Sequence, residues 1–151
     1  MKDKLVLGID PDSAKHGVAI YSNSRLIELC KFNLMELHDF INLYKQSKNI
    51  SVTMENVLKN KFIYRRNAKA DATVNAKVGI SVGRCQQAQM ELMRLFDYHK
   101  IPYQLVAPSS GNWAKDKKQF QAITGWEKQS NEDTRSAAFF GFLGARQIWQ
   151  F

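Results

Sequence analysis

Four acidic residues lie at positions where a carboxylate could do chemistry. Asp10 and Glu55 each end a predicted strand, and Glu132 and Asp133 open a predicted helix. Carboxylates that gather without histidine or cysteine are typical ligands of hard divalent cations, chiefly Mg²⁺. Two such ions can hold the attacking and leaving oxygens of a phosphodiester displacement. If the fold brings these acids together, the sequence predicts metal-dependent phosphodiester hydrolysis.

Each acid also has a purely structural interpretation. Asp10 precedes Pro11, and such a pair commonly ends a strand. Glu55 fits the solvent-facing side of an alternating strand. Ser130 and Asp133 fit a capping box, in which the serine caps the helix and the acid reaches back to the cap amide. Capping requires only one acid, however, and two adjacent ones are present at this helix start.

The hydrophobic pattern predicts an α/β fold that would bring these acids to one sheet edge. In a right-handed α/β layout, the strands that end at Asp10 and Glu55 lie side by side in parallel, so both side chains emerge at the carboxyl edge. No repeat or linker divides the chain, and we expect a single domain over residues 1–151. Strands are predicted at 4–10, 16–22, 26–32, 50–55 and 101–106, and helices at 34–46, 71–100, 113–124 and 131–148.

Local signals indicate how these elements meet. Asn23 and Ser24 suit a tight hairpin turn, and Asn33 suits a helix N-cap. Pro102 predicts that the last strand lies at a sheet edge or starts there. Small residues at 136, 137, 141 and 144 predict that the last helix packs tightly on the sheet. The apolar stripe of the long helix is expected to consist of Val78, Val82, Cys85, Leu92 and Phe96.

The chain is strongly basic, with 22 Lys and Arg residues against 14 Asp and Glu and a formal charge of +8. Such a balance is typical of proteins that bind nucleic acid or an acidic membrane surface. Only a nucleic-acid substrate explains both the acids and the excess positive charge. The basic residues form two groups, namely Lys59, Lys61, Arg65, Arg66, Lys69 and Lys77, and Lys115, Lys117 and Lys118.

Several classes of protein are excluded or disfavoured. No run approaches the roughly 18 apolar residues of a membrane span, and the N-terminus lacks the pattern of a signal peptide. Cys30 and Cys85 have no CxxC partner, and the three histidines are scattered, so a zinc site is not expected. We therefore expect a cytoplasmic protein with reduced thiols and no membrane partner.

Taken in order, these motifs resemble those of the RuvC family of Holliday-junction resolvases, within the ribonuclease-H-like superfamily. Residues 8–11 followed by 17–19 resemble the family's opening motif, and 54–57 resemble its second motif. Residues 132–138 resemble the acidic start of its last helix, and 117–121 the basic stretch before it. The resemblance spans nearly the whole chain, and divergence of this kind is common in phage-encoded members. It implies a mixed five-stranded sheet flanked by helices.

The resemblance further implies a magnesium-dependent endonuclease, with Mn²⁺ as a substitute, that makes paired nicks in a four-way junction. Asp10, Glu55 and Asp133 would be its catalytic metal ligands, and Glu132 would ligate or assist. The family's final acid falls at Ser136 here, and serine is the poorer ligand. Either Glu132 or Asp133 carries the lost charge, or the metal site is weaker. A homodimer would cleave the two strands.

The same resemblance assigns roles to the long helix and to the loop before it. The family dimerises through its long central helix, here residues 71–100, and its loop after the second motif reaches into the junction. In this chain that loop places Phe62 and Tyr64 among the first basic group, and aromatic residues between cations suit base stacking. Alternatively, the two aromatic residues pack beneath the loop. Lys117 or Lys118 would contact the phosphate of the scissile strand.

Three other functions compete with this interpretation. Ser136 permits a non-catalytic protein that binds four-way junctions or forks. Actin-like ATPases share the strand-Asp-turn-Gly pattern, but they need two such domains, for which 151 residues are too few. A ribonuclease acting on RNA–DNA hybrids shares the fold and the metals, but the long helix and the motif order favour a resolvase.

Overall fold

The computed structural model describes residues 2–59 and 72–148 of the chain. Strands and helices occur in the predicted order. Short 3-10 turns cover Val57–Lys59 and Trp113–Lys115. The strands are β1 (Asp3–Asp10), β2 (His16–Ser22), β3 (Arg25–Phe32), β4 (Lys48–Glu55) and β5 (Tyr103–Val106), and the helices are α1 (Leu34–Tyr44), α2 (Ala72–Tyr98), α3 (Lys117–Thr124) and α4 (Glu132–Ile148).

The strands form one mixed five-stranded sheet in the order β3-β2-β1-β4-β5. β1, β2 and β3 are antiparallel, whereas β1 pairs with β4 and β4 with β5 in parallel. The α/β architecture of the sequence prediction is therefore confirmed. β5 lies at a sheet edge, directly after Pro102, as predicted.

The β2–β3 hairpin turns at Asn23 and Ser24, whose φ angles of 49° and 66° are both positive. Two left-handed residues give the turn a twist that matches the flanking strands. A β-bulge then shifts the register between Ile20 and Tyr21. Because of that shift, Gly17 lies opposite Lys31 instead of Cys30, and Lys31 changes sheet face.

One face of the sheet is covered by α1 and α2 and is built from large aliphatic residues. Leu7 and Ile9 are fully buried there against Leu37 of α1 and Leu92 of α2. Asn33 caps α1 in a capping box. Its side chain accepts a hydrogen bond of 2.8 Å from the Glu36 amide, and the Glu36 carboxylate accepts one of 3.1 Å from the Asn33 amide. The predicted cap is confirmed.

The opposite face is covered by α4 and is built from small residues. A Cβ atom at Gly8 would overlap the backbone of Ala137 and Gly141, so only glycine allows the two elements to approach this closely. Ala137 and Ala138 are fully buried. The hydroxyl of Tyr21 donates a hydrogen bond of 2.6 Å to the carbonyl of Ala138. The predicted close packing of the last helix is confirmed.

The stripe predicted for the long helix is only partly right. Leu92 and Phe96 are buried, but Val78, Val82 and Cys85 are only half-buried. The helix has 27 residues, or about 40 Å at 1.5 Å per residue, whereas the 8-residue strands span roughly 26 Å. The first half of α2 therefore extends past the sheet.

Three further expectations are corrected. The side of β4 that carries Glu55 does not face solvent along its length, because α4 covers it at Gly144 and buries Thr53. The predicted helix over 113–124 is interrupted at Asp116, which caps α3. Ser130 does not cap the last helix.

Among the described residues, no helix is long and apolar enough to cross a membrane.

The last helix is capped by Asn131. Its side chain accepts the Thr134 amide at 2.9 Å, and the Thr134 hydroxyl accepts the Asn131 amide at 2.9 Å. The Thr134 hydroxyl thus accepts the amide of the cap residue, the role that was predicted for Asp133. This cap leaves both acids of the first turn, Glu132 and Asp133, available for other contacts.

Candidate active site

A row of residues crosses the sheet at the carboxyl edge of β1 and β4. Ile9 pairs with Met54 in the parallel ladder, so the next residues, Asp10 and Glu55, lie side by side. On the other flank of β1, Asp10 pairs with Gly17. Neighbouring residues of a ladder point to the same face, and this face is the one under α4.

Gly17 determines how closely the start of α4 approaches that row. A Cβ atom at Gly17 would lie 2.5 Å from the backbone oxygen of Asp133 and 2.8 Å from its carbonyl carbon. Glycine therefore lets the first turn of α4 rest directly on β2. As a result, Asp133 and Ser136 lie above the sheet edge that carries Asp10.

Burial and like charges perturb Asp10 strongly. The pKa of Asp10 is raised to about 8, mainly by burial and in addition by the negative charges of Glu55 and Asp133. A hydrogen bond from the Ser136 hydroxyl opposes this shift. Burial also raises the pKa of Glu55, which accepts a hydrogen bond from the protonated Asp10. The pair therefore shares a proton, which would leave to solvent when a cation binds.

Asp133 faces both Asp10 and a lysine that the sequence analysis missed. Lys31, the last residue but one of β3, forms an ion pair with Asp133 of 2.8 Å between Nζ and Oδ2. The hydrogen bond to Asp133 raises the pKa of Lys31, and the charges of Asp133, Asp12 and Asp10 add to it. Lys31 thus places a positive charge at this acidic edge.

Two connections hold the segments that follow Asp10 and Glu55. His16 accepts the Asp12 amide at Nδ1 over 3.0 Å, and burial lowers the pKa of His16 to about 4, so its ring stays neutral. Gln89 of α2 is fully buried, and its Oε1 accepts the Val57 amide at 2.6 Å. Gln89 lies on the helical stripe at a position where an apolar residue is expected. Because it is polar, the sequence analysis did not include it in that stripe.

Arg135 is a third residue that the sequence analysis missed. Its Nε and Nη2 atoms donate to the carbonyl of Ala114 at 3.1 and 2.8 Å, and its Nη1 donates to the hydroxyl of Ser130 at 3.0 Å. These bonds tie the 3-10 turn Trp113–Lys115 to the first turns of α4. The basic segment around residue 115 is thereby held beside the helix start.

The structure places the other predicted site residues as follows. Glu132 is exposed and is not among the groups that act on Asp10. Ser136 is buried and contacts Asp10. Lys59 ends the 3-10 turn after Glu55, and the side chains of Lys77, Lys115, Lys117 and Lys118 are exposed. Lys61, Phe62, Tyr64, Arg65, Arg66 and Lys69 lie outside the described residues.

The chemistry of the donor set fits a divalent cation at Asp10 and Glu55. Two half-buried carboxylates that repel each other are stabilised by a hard cation that both can bind. Asp133 lies near enough to act on Asp10 but is held by Lys31. Within residues 2–59 and 72–148, no group of three His, Cys, Asp or Glu side chains is assembled as a metal site.

Comparisons with known proteins find a likeness in structure but none in sequence. No protein-family profile matches the chain, and no curated protein sequence matches it. RuvC of Thermus thermophilus in complex with a Holliday junction substrate superposes with a TM-score of 0.56 at 15% identity, covering 97% of this chain and 96% of that one. A second structure of Thermus thermophilus RuvC gives 0.53 at 16% identity, with coverage of 97% and 96%. The chain therefore has the ribonuclease-H-like fold of RuvC.

Proposed function

We propose that residues 1–151 form one RuvC-like nuclease domain, a structure-selective DNA endonuclease that resolves four-way junctions by metal-dependent paired nicking. The observation that supports this most is the pairing of Asp10 with Glu55 at the carboxyl edge of the sheet, beneath Asp133 and Ser136. Open α/β sheets place their sites at this edge. RuvC of Thermus thermophilus, which has the same fold, has been solved in complex with a Holliday junction substrate.

In this proposal Asp10 and Glu55 hold Mg²⁺, or Mn²⁺ in its place. When bound, the ion supplies the positive charge that polarises a phosphodiester and stabilises the developing negative charge. The hydroxyl of Ser136 orients Asp10 through its hydrogen bond. Asp133 lies at the open side of the pair, while Glu132 assists from the exposed first turn of α4.

The substrate of this proposal is branched DNA. Lys115, Lys117 and Lys118 are exposed, and the bonds of Arg135 to Ala114 hold the turn that ends at Lys115 beside the first turns of α4. Lysines at this position would bind the phosphates of the scissile strand and add salt-dependent affinity. The group from Lys59 to Lys69, with Phe62 and Tyr64, would bind the junction centre.

A homodimer would supply the second nick. The first half of α2 extends past the sheet, and Val74 and Ile80 are 45% and 55% exposed there. Apolar side chains on a helix that leaves its own core are typical of a protein–protein contact. We therefore propose that the dimer contact lies on this half of α2. We also propose that the enzyme acts in the cytoplasm, where its DNA substrate lies.

A second candidate function is a junction-binding protein that does not cut. It is favoured by Ser136, which stands where the resemblance expects an acid, and by the ion pair that occupies Asp133. Such a protein would bind junctions tightly and leave them intact with either Mg²⁺ or Mn²⁺.

The deciding experiment uses a labelled, immobile four-way junction resolved on a denaturing gel. Wild type, Asp10→Asn and Asp39→Asn are compared in Mg²⁺ and in Mn²⁺. Asp39 is an exposed acid on α1 and provides the same chemical change away from the edge. We expect symmetric nicks from wild type and Asp39→Asn, and at least about a 100-fold loss for Asp10→Asn. A junction that is shifted on a native gel but uncut in both metals would favour the binding protein.

A further inference from the structure

A basic cleft lies at the amino edge of the parallel strands, at the opposite end of the sheet from Asp10. β1 and β4 begin at this edge, and α1 and α2 both end there. The cleft has a volume of about 400 Å³, and its basic lining residues are Lys4, Lys45, Lys48, His99 and Lys100. From Lys4 to Asp10 the strand β1 rises by roughly 20 Å, so this amino-edge cleft is separate from the acidic edge.

The positive charge of the amino-edge cleft exceeds the negative charge around it. Among the described residues that line it none is acidic, and Lys48 alone forms an ion pair, with Asp3 at 3.3 Å. Asp97, near the end of α2, accepts a hydrogen bond from Tyr103 instead. The carboxyl ends of α1 and α2 add about half a negative charge each. The other three lysines outweigh these two helix ends, and the cleft therefore stays positive.

Lys100 stands at a position where glycine is favoured. Its φ angle is 57°, in the left-handed region that disfavours any residue with a Cβ atom. Two hydrogen bonds at the end of α2 fix this conformation, because the Lys100 amide donates to Asp97 at 3.1 Å and the Ile101 amide donates to Phe96 at 2.9 Å. Helices that end in this motif usually carry glycine here. A lysine held in a strained conformation beside a cleft indicates a role for its side chain.

Lys45 is held in place by a pair of histidines. Its Nζ atom lies 3.3 Å from Nδ1 of His99, and Nε2 of His99 lies 2.9 Å from Nδ1 of His38. Burial, followed by the charge of Lys45, lowers the pKa of His99, so its ring is neutral and can accept a hydrogen bond from the ammonium group. These contacts join the ends of α1 and α2. They order Lys45 before any ligand binds, which reduces the entropic cost of binding.

Phosphate is the ligand that this arrangement suits. Lysines gathered without acids repel one another, and a bound anion relieves that repulsion. A phosphate group has the charge and the acceptor oxygens to bind several ammonium groups. His99 is the one aromatic ring among the described residues of the lining, so the cleft offers little surface for base stacking. Contact with a nucleic-acid backbone is therefore favoured over contact with a free nucleotide.

We propose that the amino-edge cleft is a second phosphate-binding site, which holds the backbone of a double-stranded arm of DNA away from the acidic edge. The inference rests on the proposed function in taking DNA as the ligand, and it adds a surface that the acidic edge does not include. Lys45 and Lys100 would position the substrate and take no part in breaking the phosphodiester bond.

The test measures binding of a short plain duplex to the full-length protein by fluorescence anisotropy, in EDTA and at several salt concentrations. Each phosphate contact contributes about 0.9 to the slope of log affinity against log salt, or about 10-fold in affinity at about 0.1 M salt. We expect Lys100→Gly to bind about 10-fold more weakly and Lys45→Gln/Lys100→Gly about 100-fold more weakly. Glycine relieves the left-handed strain, so Lys100→Gly should also melt about 2–4 °C higher. A more stable protein that binds less DNA excludes unfolding as the cause.

Lys128→Gln and Lys45→Arg are the controls. Lys128 is an exposed lysine over the Trp126 ring that does not line the cleft, so its replacement removes the same charge elsewhere and should leave the salt slope unchanged. Lys45→Arg keeps the charge in the cleft and should bind the duplex nearly as wild type does. Inorganic phosphate and vesicles containing phosphatidylserine serve as further probes, and we expect neither to displace the duplex at constant ionic strength.

The outcomes separate this inference from the proposed function. Equal affinities and salt slopes of wild type and the double variant would overturn the role of the cleft and leave the nuclease in place. Displacement by inorganic phosphate would assign the cleft to a free phosphate group, and displacement by vesicles to a membrane surface, and either would overturn the DNA contact. Weaker duplex binding by the variants of a protein that cuts no junction would support the cleft and overturn the nuclease. Wild type that binds no duplex would overturn both.

Discussion

The two faces of the sheet are built in different ways. We call the side under α1 and α2 the aliphatic face, and the side under α4 the small-residue face. On the aliphatic face, branched side chains such as Leu7 and Ile9 interlock with Leu92. On the small-residue face, glycine and alanine allow the backbone of α4 to lie almost directly on the strands, as at Gly8.

This difference separates stability from the geometry of the site. Large side chains bury more apolar area, each worth about 1.5–3 kcal/mol when fully buried, but they can repack when one is changed. Contacts between backbones cannot repack, so they fix how far Asp133 lies from Asp10. We therefore expect changes on the aliphatic face to alter mainly stability, and changes on the small-residue face to alter mainly activity.

The largest expected loss of stability is on the aliphatic face. Leu92 is fully buried between α2 and the sheet, and Leu92→Ala should lower the free energy of unfolding by about 2–5 kcal/mol through the cavity it leaves. Below its melting temperature the variant should cut junctions at nearly the wild-type rate. Urea unfolding and a single-turnover assay at low temperature measure the two effects. A parallel loss of cleavage would mean that this face also positions the acids.

A substitution at the acidic edge should have the opposite effect on stability, namely a gain. The native pKa of Asp10 is raised to about 8, so the native state holds a proton that the unfolded chain releases near pH 4. Stability from this residue is therefore lost as pH rises from about 4 to about 8. Each pKa unit corresponds to about 1.4 kcal/mol, so in EDTA at pH 9 Asp10→Asn should be more stable than wild type by at least about 2 kcal/mol.

The gain from Asp10→Asn should shrink as the pH approaches 4, and Mg²⁺ should stabilise wild type but not the variant. Urea unfolding from pH 4 to pH 9, with and without the metal, measures both effects. Asp39→Asn serves as the control, with no change expected under any of these conditions. Equal stability of wild type and Asp10→Asn at pH 9 would contradict a buried, repelled carboxylate.

Gly17→Ala tests the close contact of α4 with the sheet. The added methyl group would lie 2.5 Å from the backbone oxygen of Asp133, so the helix start must move. We expect a loss of about 1–3 kcal/mol in stability, typical of overpacking. Cleavage should fall about 100-fold, because a displacement of about 1 Å at the reacting groups has that effect. Cleavage that survives better in Gly17→Ala than in Leu92→Ala would reverse the comparison of the two faces.

The site could be predicted from the sequence as far as local patterns reach. Apolar runs that end in acids, together with parallel pairing of β1 and β4, are sufficient to place Asp10 beside Glu55. Small residues in α4 indicated its close approach to the sheet. Whether these acids bind metal stays a prediction, because the pattern describes positions and not ligands.

The missed residues depend on local events that leave weak signals. An unbroken hairpin from the turn at Asn23 would pair Gly17 with Cys30, and only the bulge brings Lys31 to the acidic row. Asn131 displaces Ser130 as the cap because the Thr134 hydroxyl accepts its amide. Gln89 is buried because the Val57 amide needs an acceptor after the strand ends. Each depends on a partner that is distant or optional in the sequence.

The two asparagine caps offer a smaller and matched test. Asn33 caps α1 and Asn131 caps the helix of the small-residue face, and replacing either by alanine should cost about 1 kcal/mol. Only Asn131→Ala should also lower junction cleavage, since fraying of that first turn moves Asp133. Thermal melting and cleavage rates of the two variants measure this contrast. Equal cleavage by both would show that the first turn of α4 is held by other contacts.

The smallest expected effect is a gain at Gly83, in the half of α2 that extends past the sheet. Apart from its chain neighbours and the backbone of its own helix, no atom of the described chain lies within 4 Å of a Cβ atom built there, so Gly83→Ala relieves the entropic cost of glycine in a helix without a clash. The variant should be more stable by about 0.5–1 kcal/mol. Unfolding is measured at low protein concentration, where the proposed dimer through α2 would be dissociated. A loss of stability would show that another surface already covers this face, whereas a gain that disappears as the concentration rises would place Gly83 in the dimer contact.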